Sequence, residues 1–333
     1  MKIHILGAGS LGCAIGGTLA TGGSDVTLIA RSPEHVDAVN ARGLVLRDAD
    51  GGERVVRIAA ATDARGLTPA DLVIVLVKSF HTAAAIDGCK PALGAQTIVM
   101  SLQNGLGHEE VLAKAVGRER LLAGKTYVGG VFLAPGVVRA GVEEKLTLIG
   151  EPGGGLSERV QHVAAEFERA GLKTTASDNI TGVIWDKLLV NTATGALSAI
   201  TRLAYGPLYA MQELEATAVA AVAEAVAVAR AQGVTLSIKE PLEAWRMAGA
   251  GLGPDFKASM LQSLEKGSVT EIDFINGAVV REGDRRRRAD AGEPHARGLR
   301  QGHRKGTQRM IKAYGVTMRE VEEALTINPR ATQ

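Results

Sequence analysis

The stretch that decides the fold is Met1–Arg31, MKIHILGAGSLGCAIGGTLATGGSDVTLIAR. Lys2 to Leu6 is a short apolar run that reads as a buried strand. Gly7, Gly9 and Gly12 follow at G-x-G-x-x-G spacing, and a helix-like run continues through Cys13, Ile15 and Leu19. A second apolar run, Val26 to Ala30, ends on Arg31. Strand, glycine turn, helix and strand make one βαβ unit of about thirty residues, the context in which this spacing implies dinucleotide binding.

Each glycine has its own task. The first permits a tight turn out of the strand, the second lets the backbone approach a pyrophosphate, and the third lets helix and strand pack closely. Gly7, Ala8, Gly9, Ser10, Leu11 and Gly12 are therefore candidate cofactor-binding residues, with amides at the helix start facing the anion. An NAD site carries Asp or Glu about twenty residues after the glycines, accepting from the ribose 2′-hydroxyl. Here Arg31 and Ser32 stand there. A guanidinium cannot accept, but it can pair with a 2′-phosphate and stack on adenine. The expected cofactor is NADP(H). The competing reading of Arg31 is a solvated residue ahead of a helix capped by Ser32 and Pro33.

Working outward, 333 residues suffice for two domains and a large core. A net charge of +2 favours neither nucleic acid nor acidic membrane, and 3% aromatic residues argue against base-stacking platforms. Cys13 and Cys89 are isolated, which suggests a reducing compartment, no disulfide framework and no metal site. No charged-then-apolar leader precedes the first strand, and no apolar run has membrane-spanning length. The expectation is a soluble cytoplasmic protein.

After Arg31, Glu34 to Ala41 reads as a helix. Leu44 to Leu46 and Val55 to Ile58 read as strands around an Asp-Gly-Gly turn at Asp50. Asp71 to Val77 is a nearly unbroken apolar strand, as expected in a parallel sheet covered on both faces. It delivers Lys78 and Ser79 at its carboxyl end, and the next strand, Thr97 to Ser101, delivers Gln103-Asn104-Gly105. Ligands bind at that edge of open α/β sheets, so Lys78 and Asn104 mark a candidate rim. Leu121 to Val128, Phe132 and Leu146 to Ile149 read as further strands, with Gly129-Gly130 between. Gly150 to Gly155 is a glycine-rich loop before a helix, Ser157 to Ala170, and Leu172 to Thr175 could close the sheet's edge.

From Ile180 the patterns are helical: Thr181 to Ala199, Glu213 to Gln232, Glu240 to Ala250, Lys257 to Lys266 and Glu271 to Val280. The expected architecture is α/β, an N-terminal Rossmann-type doubly wound sheet over residues 1–178 followed by an all-α domain over 179–333. Lys187 and Asn191 are four apart and share a helix face, where a lysine and an amide can address a carboxylate or carbonyl. Asp186 points elsewhere. Thr270 followed by Asp273 fits a capping box, with Glu271 as the first-turn carboxylate.

Six elements in order resemble the ketopantoate reductase family (2-dehydropantoate 2-reductase). They are Gly-Ala-Gly-Ser-Leu-Gly at 7–12, Val-Lys-Ser at 77–79, Gln-Asn-Gly-Leu-Gly at 103–107, Trp-Asp-Lys-Leu-Leu-Val-Asn at 185–191, Ala-Ser-Met-Leu-Gln at 258–262 and Thr-Glu-Ile-Asp-Phe-Ile-Asn-Gly at 270–277. The resemblance implies NADPH-dependent reduction of a 2-keto acid, with 2-dehydropantoate reduced to pantoate in pantothenate biosynthesis. It makes Lys187 the general acid and Glu271 the carboxylate that positions this lysine and the ligand. It puts Lys78, Asn104, Gly130 and Glu271 on the cofactor, and Asn104, Lys187, Asn191 and Ser259 on the substrate. The chain departs from the family where Gly195 and Tyr205 stand at places that commonly hold asparagine. A paralogue acting on another 2-keto acid, another oxidoreductase of this plan and a non-catalytic NADP-binding sensor are the competing readings. The Ala-rich segment 213–232 is a candidate contact for a homodimer.

One segment breaks the pattern. From Asp284 to Thr307, Arg and Gly dominate and apolar periodicity vanishes. It reads as a basic arm for nucleic acid, as a surface loop, or as a shifted reading frame. The last is favoured, because suitable codons read one base over give ATAAGAPTPVNRTLVACVRGIEKA, which restores a Pro-Thr-Pro-Val-Asn turn and an apolar helix. Met310 to Ile327 again reads as helix.

Overall fold

The structure, a computed structural model, describes residues 1–48 and 50–290. It divides into two compact units, Met1–Ile184 and a second beginning at Trp185. The helix expected over 310–327 and residues 291–307 of the atypical segment lie outside the described residues.

The first unit runs β1 (Lys2–Leu6), α1 (Ser10–Thr21), β2 (Asp25–Ile29), α2 (Pro33–Arg42), β3 (Leu44–Arg47), β4 (Glu53–Val56), β5 (Ala59–Ala61), β6 (Ala70–Val75), α3 (Thr82–Cys89), β7 (Leu93–Ser101), α4 (His108–Val116), β8 (Leu121–Thr126), β9 (Gly129–Ala134), β10 (Val137–Gly141), β11 (Thr147–Gly150), α5 (Glu158–Arg169) and β12 (Thr174–Ser177). Eight strands form one sheet in the order β12-β11-β8-β7-β6-β1-β2-β5. All its pairings are parallel except β8 with β11. The chain builds outward from β1 through β2 to β5, then returns to β1's other side with β6, so β1 and β6 flank the topological switch point.

Side-chain alternation explains why these strands read as continuous apolar runs. Ile3, Ile5, Leu72 and Ile74 pack in one buried cluster with α1 and α5, while Leu6, Val73 and Val75 pack in another with α3 and α4. A strand buried on both faces has no polar side to show. Helix starts follow local chemistry: Ser32 Oγ accepts from the His35 amide at 3.3 Å, and Ser157 Oγ from the Val160 amide at 3.3 Å.

A second, four-stranded sheet, β4-β3-β10-β9, was not expected from the sequence. It packs over α1, which is thus held between two sheets, and α1 is glycine-rich for that reason. A methyl on Gly16 would lie 2.8 Å from Ile5 and Leu28 of the main sheet, and one on Gly17 2.9 Å from Leu44 and Leu46 of the smaller. Of the strand expected at 55–58 only 55–56 is strand, the end of β4, and a separate strand, β5, follows in the other sheet; that expected at 172–175 sits two residues later.

The second unit contains α6 (Ile180–Thr201), which begins in the first, then α7 (Tyr205–Tyr209), α8 (Gln212–Ala231), α9 (Pro241–Gly249), α10 (Ser259–Glu265) and α11 (Asn276–Asp290). Tyr205, Tyr209, Trp245 and Phe256 form an aromatic cluster, and Tyr209 Oη donates to the Trp245 carbonyl at 2.7 Å. The helix expected from Glu271 is corrected. Ile272–Phe274 is a 3-10 turn whose N-cap, Glu271, makes no side-chain cap, and the Thr270–Asp273 capping box does not form. Ile275, at φ −108° and ψ −92°, breaks the path before α11. The run Ile-Asp-Phe-Ile has low helix propensity, which leaves no strong local drive to continue the turn.

Candidate active site

In the first unit the strand register aligns the candidate rim. Leu6 pairs with both Ile29 and Val75, and Val75 with Ser101, so β1, β2, β6 and β7 end level. Arg31, the glycine turn, Lys78 and Asn104 therefore follow one another along a single sheet edge.

The three glycines separate cleanly. Gly7 has φ +108°, and a side chain there would meet the Val77 amide nitrogen at 2.5 Å. The amides of Gly7 and Ala8 both donate to the Ile29 carbonyl at 3.0 Å, which fastens the turn to β2. A side chain on Gly12 would overlap the Gly7 carbonyl oxygen. Gly9 is different: its φ is −80°, and a Cβ there would have nothing within 4 Å. Neither strain nor packing within the protein requires glycine at this position. It leaves an open cradle over the first turn of α1, where no acidic residue and no side-chain cap intervene. Such a cradle fits an approaching pyrophosphate. Gly130 of β9 closes on it, for a side chain there would sit 2.7 Å from the Ser10 carbonyl oxygen.

A buried chain of contacts braces this turn from behind. The Gly136 amide donates to His35 Nδ1 at 3.0 Å, His35 Nε2 lies 3.4 Å from Cys13 Sγ, and Cys13 Sγ donates to the Ala8 carbonyl at 3.3 Å. Burial pushes the Cys13 thiol up to about 12 and holds His35 below the usual histidine range, favouring the neutral form of each.

Arg31 is exposed, and its Nη2 donates to His81 Nε2 at 3.2 Å. A guanidinium only donates, so Nε2 must accept and the His81 proton sits on Nδ1. Burial, then the Arg31 charge, lowers the His81 pKa and keeps the acceptor form. Lys78 is exposed and caps the turn Ser79–His81, its carbonyl accepting from the His81 amide at 2.8 Å. Gln103 serves the scaffold: its Nε2 donates to the Val77 carbonyl at 2.7 Å and to Thr82 Oγ1 at 2.9 Å. That clamp presents the next residue, Asn104. Sequence reasoning missed two residues at this edge, His81 and Lys125. The signal for Lys125 was a single charge inside the run Leu121 to Thr126, every residue of which is buried.

In the second unit, Lys187 and Asn191 lie on α6, both half-buried. Burial holds the Lys187 ammonium below the usual lysine range, which makes it a readier proton donor. Its neighbour Asp186 is engaged elsewhere, accepting from the Ser237 and Ile238 amides at 3.0–3.1 Å and from Ser237 Oγ at 2.6 Å. Ser259 opens α10 and is exposed; Glu271 is half-buried and caps the 3-10 turn. At Gly195 a Cβ would lie 3.3 Å from Met260 Cε, and Tyr205 Oη lies 3.0 Å from Thr194 Oγ1. Among the described residues no cluster of His, Cys, Asp and Glu could hold a metal, and no helix is long and apolar enough to cross a membrane.

Comparison with known proteins matches residues 3–153 to the family described as ketopantoate reductase PanE/ApbA, and residues 179–289 to its C-terminal domain. The 2-dehydropantoate 2-reductase of Halobacterium salinarum is 39% identical over 284 residues, covering 84% of this chain and 91% of that protein. That of Pyrococcus horikoshii is 38% identical over 280 residues, covering 84% and 90%. Among solved structures, a PanE/ApbA family ketopantoate reductase from Ralstonia eutropha superposes with a TM-score of 0.77 at 38% identity, covering 85% of this chain and 92% of that one. A D-mandelate dehydrogenase captured with NADH and anilino(oxo)acetate gives 0.79 at 27% identity, covering 86% and 92%.

Proposed function

Because the chain belongs to the ketopantoate reductase family, we propose that it reduces 2-dehydropantoate to pantoate with NADPH, Lys187 acting as general acid. It is an oxidoreductase acting on a CH–OH/keto pair, with a nicotinamide dinucleotide as cofactor. Bound, the reduced cofactor supplies a hydride.

The observation that carries the reading is the Gly9 cradle at the level edge of the sheet, beside Arg31, Lys78 and Asn104. The amides of the first turn of α1 hold the pyrophosphate, with Gly130 limiting the space around it. Arg31, steadied by His81, pairs with the 2′-phosphate and selects NADP(H) over NAD(H). Lys78 and Asn104 serve the nicotinamide end. Hydride addition to a ketone carbon leaves charge on its oxygen, and Lys187 both stabilises that charge and delivers the proton. Glu271 positions the lysine and the ligand, and Asn191 and Ser259 hold the substrate's polar groups. The protein works in the cytoplasm, binds neither nucleic acid nor membrane, and pairs through the Ala-rich α8.

A second reading, reduction of a different 2-keto acid, is favoured by one observation. Met260 fills the space beside Gly195, and Tyr205 Oη is satisfied by Thr194, so neither position offers the substrate an amide. NADPH oxidation against a panel of 2-keto acids tests both readings. Turnover is expected with at least one of them. The fastest substrate being 2-dehydropantoate supports the first reading, an apolar 2-keto acid supports the second, and silence across the panel overturns both.

A further inference from the structure

Lys125 is the only charged side chain of β8, and it is 2% exposed. A buried ammonium is costly to retain unless its hydrogen bonds are made. Its Nζ donates to Asn104 Oδ1 at 2.5 Å. The polarity of that contact follows from chemistry: an ammonium has three donors and no acceptor, so the amide atom facing it must be the oxygen. The strand register explains the meeting. Ser101 pairs with Ala123, so Lys125 lies two residues further along β8, beside the turn that carries Asn104.

The remaining acceptor of Asn104 is also committed. Its backbone carbonyl accepts from His108 Nε2 at 2.8 Å and from Ser79 Oγ at 3.4 Å. What is left is the Nδ2 amino group, which has no hydrogen-bond partner among the described residues. Asn104 is half-buried at the level edge of the sheet, so this group is the part of the residue still able to serve a ligand.

We infer that Lys125 is a positioning residue that locks the Asn104 amide, so that Asn104 can only donate and the ligand atom it meets is an oxygen acceptor. This rests on the proposed reading of the rim as the nicotinamide and substrate end. The acceptor has two sources with one chemistry, the carboxamide oxygen of the nicotinamide or an oxygen of the 2-keto acid. Without Lys125 the amide is free to turn its oxygen toward that acceptor, replacing an attraction with a repulsion.

The test is a double-mutant cycle on the full-length protein with K125M, N104A and the pair, read as kcat/KM for the best 2-keto acid and as Kd for NADPH alone. Each single change is expected to lower kcat/KM by about tenfold or more, the scale of a lost ligand hydrogen bond. The pair should be within about threefold of N104A, because Lys125 acts through Asn104. A loss visible already in NADPH binding identifies the carboxamide; a loss confined to KM or kcat identifies the 2-keto acid. Losses that multiply in the pair, or wild-type kinetics in K125M, overturn the inference. Should K125M not fold, N104D carries the test: it keeps an oxygen on Lys125 and replaces the donor with a second acceptor oxygen, so it should lose at least as much as N104A. Wild-type kinetics in N104D overturn the inference. If the wild-type protein reduces no 2-keto acid, the functional reading fails, and NMR of isotope-labelled asparagine amides judges Lys125 separately. A sharp Asn104 amide pair that broadens or moves in K125M supports the lock; an unchanged pair overturns it.

Discussion

Adding a single methyl at Gly9 and at Gly12 should have opposite consequences, and the difference isolates what the glycine turn is for. At Gly12 the methyl would overlap the Gly7 carbonyl oxygen and lie 3.1 Å from Ile5 Cγ2. Strand and helix must then move apart, and overpacking of this kind costs about 1–3 kcal/mol. At Gly9 the methyl meets nothing within 4 Å, and the backbone, at φ −80° and ψ −159°, accepts an L residue. Loss of unfolded-chain freedom favours Gly9→Ala by about 0.4–1 kcal/mol, and the poorer N-cap opposes it by a similar amount. The melting temperature should therefore barely change. NADPH binding should suffer instead, because the methyl would stand in the cradle proposed for the pyrophosphate. Displacing it by a few tenths of an ångström costs about 1–3 kcal/mol, roughly a 5- to 150-fold rise in Kd. Thermal melts of both variants, with a fluorescence titration of NADPH, measure the contrast. Gly9→Ala that binds NADPH as the wild type does, or that melts as low as Gly12→Ala, would refute the reasoning.

Four further outcomes follow from Arg31, Lys187 and the two buried thiols. Arg31→Ala should weaken NADPH about 10- to 100-fold and NADH far less, since only NADPH loses the charge-assisted partner of its 2′-phosphate; equal losses for both cofactors would contradict the Arg31 assignment. The Lys187 pKa is lowered by burial, so its acid form disappears below the ordinary lysine value. The kcat of reduction should fall with rising pH earlier than an ordinary lysine would dictate, and a flat profile through that range speaks against Lys187 as the proton source. By linkage, the unfolded state binds this proton more readily, so the same group makes stability rise with pH over that window, a slope that Lys187→Met should remove. Burial pushes the thiols of Cys13 and Cys89 up to about 12 and about 11, so a thiol reagent at neutral pH should label neither until the protein is unfolded; rapid labelling of Cys13 in the native protein would show the turn's bracing to be open.

Much of the first unit was legible because its signals are local. Lys2 to Arg31 carries strand, turn, helix and strand in one uninterrupted pattern, and β6 announces burial on both faces through five apolar residues in six. The smaller sheet was not legible. β4 is mostly exposed and has no alternation of its own, and β10 alternates over only five residues, too short a run to stand out; both pack where α1 offers them a surface. The start of α11 failed for a related reason: Thr270 and Asp273 have the spacing of a capping box, but Ile275 turns the backbone away before a helix can use it. At the rim, Arg31, Lys78 and Asn104 could be found from their places after apolar runs. Lys125 was passed over as one more strand residue, because nothing local tells that flanking strands enclose its charge. That enclosure is tertiary, supplied by β7 and β11.

If the ammonium of Lys187 delivers the proton when a 2-keto acid is reduced, its removal must show in turnover. The most direct measurement is NADPH oxidation by wild type and Lys187→Ala with the best substrate of the panel, with NADPH affinity measured in parallel. The account predicts a loss of about 10²- to 10⁴-fold in kcat, the usual share of a general acid, with Kd for NADPH within about threefold of wild type, since the cradle lies in the other unit. A Lys187→Ala variant that turns over as fast as the wild type would contradict it.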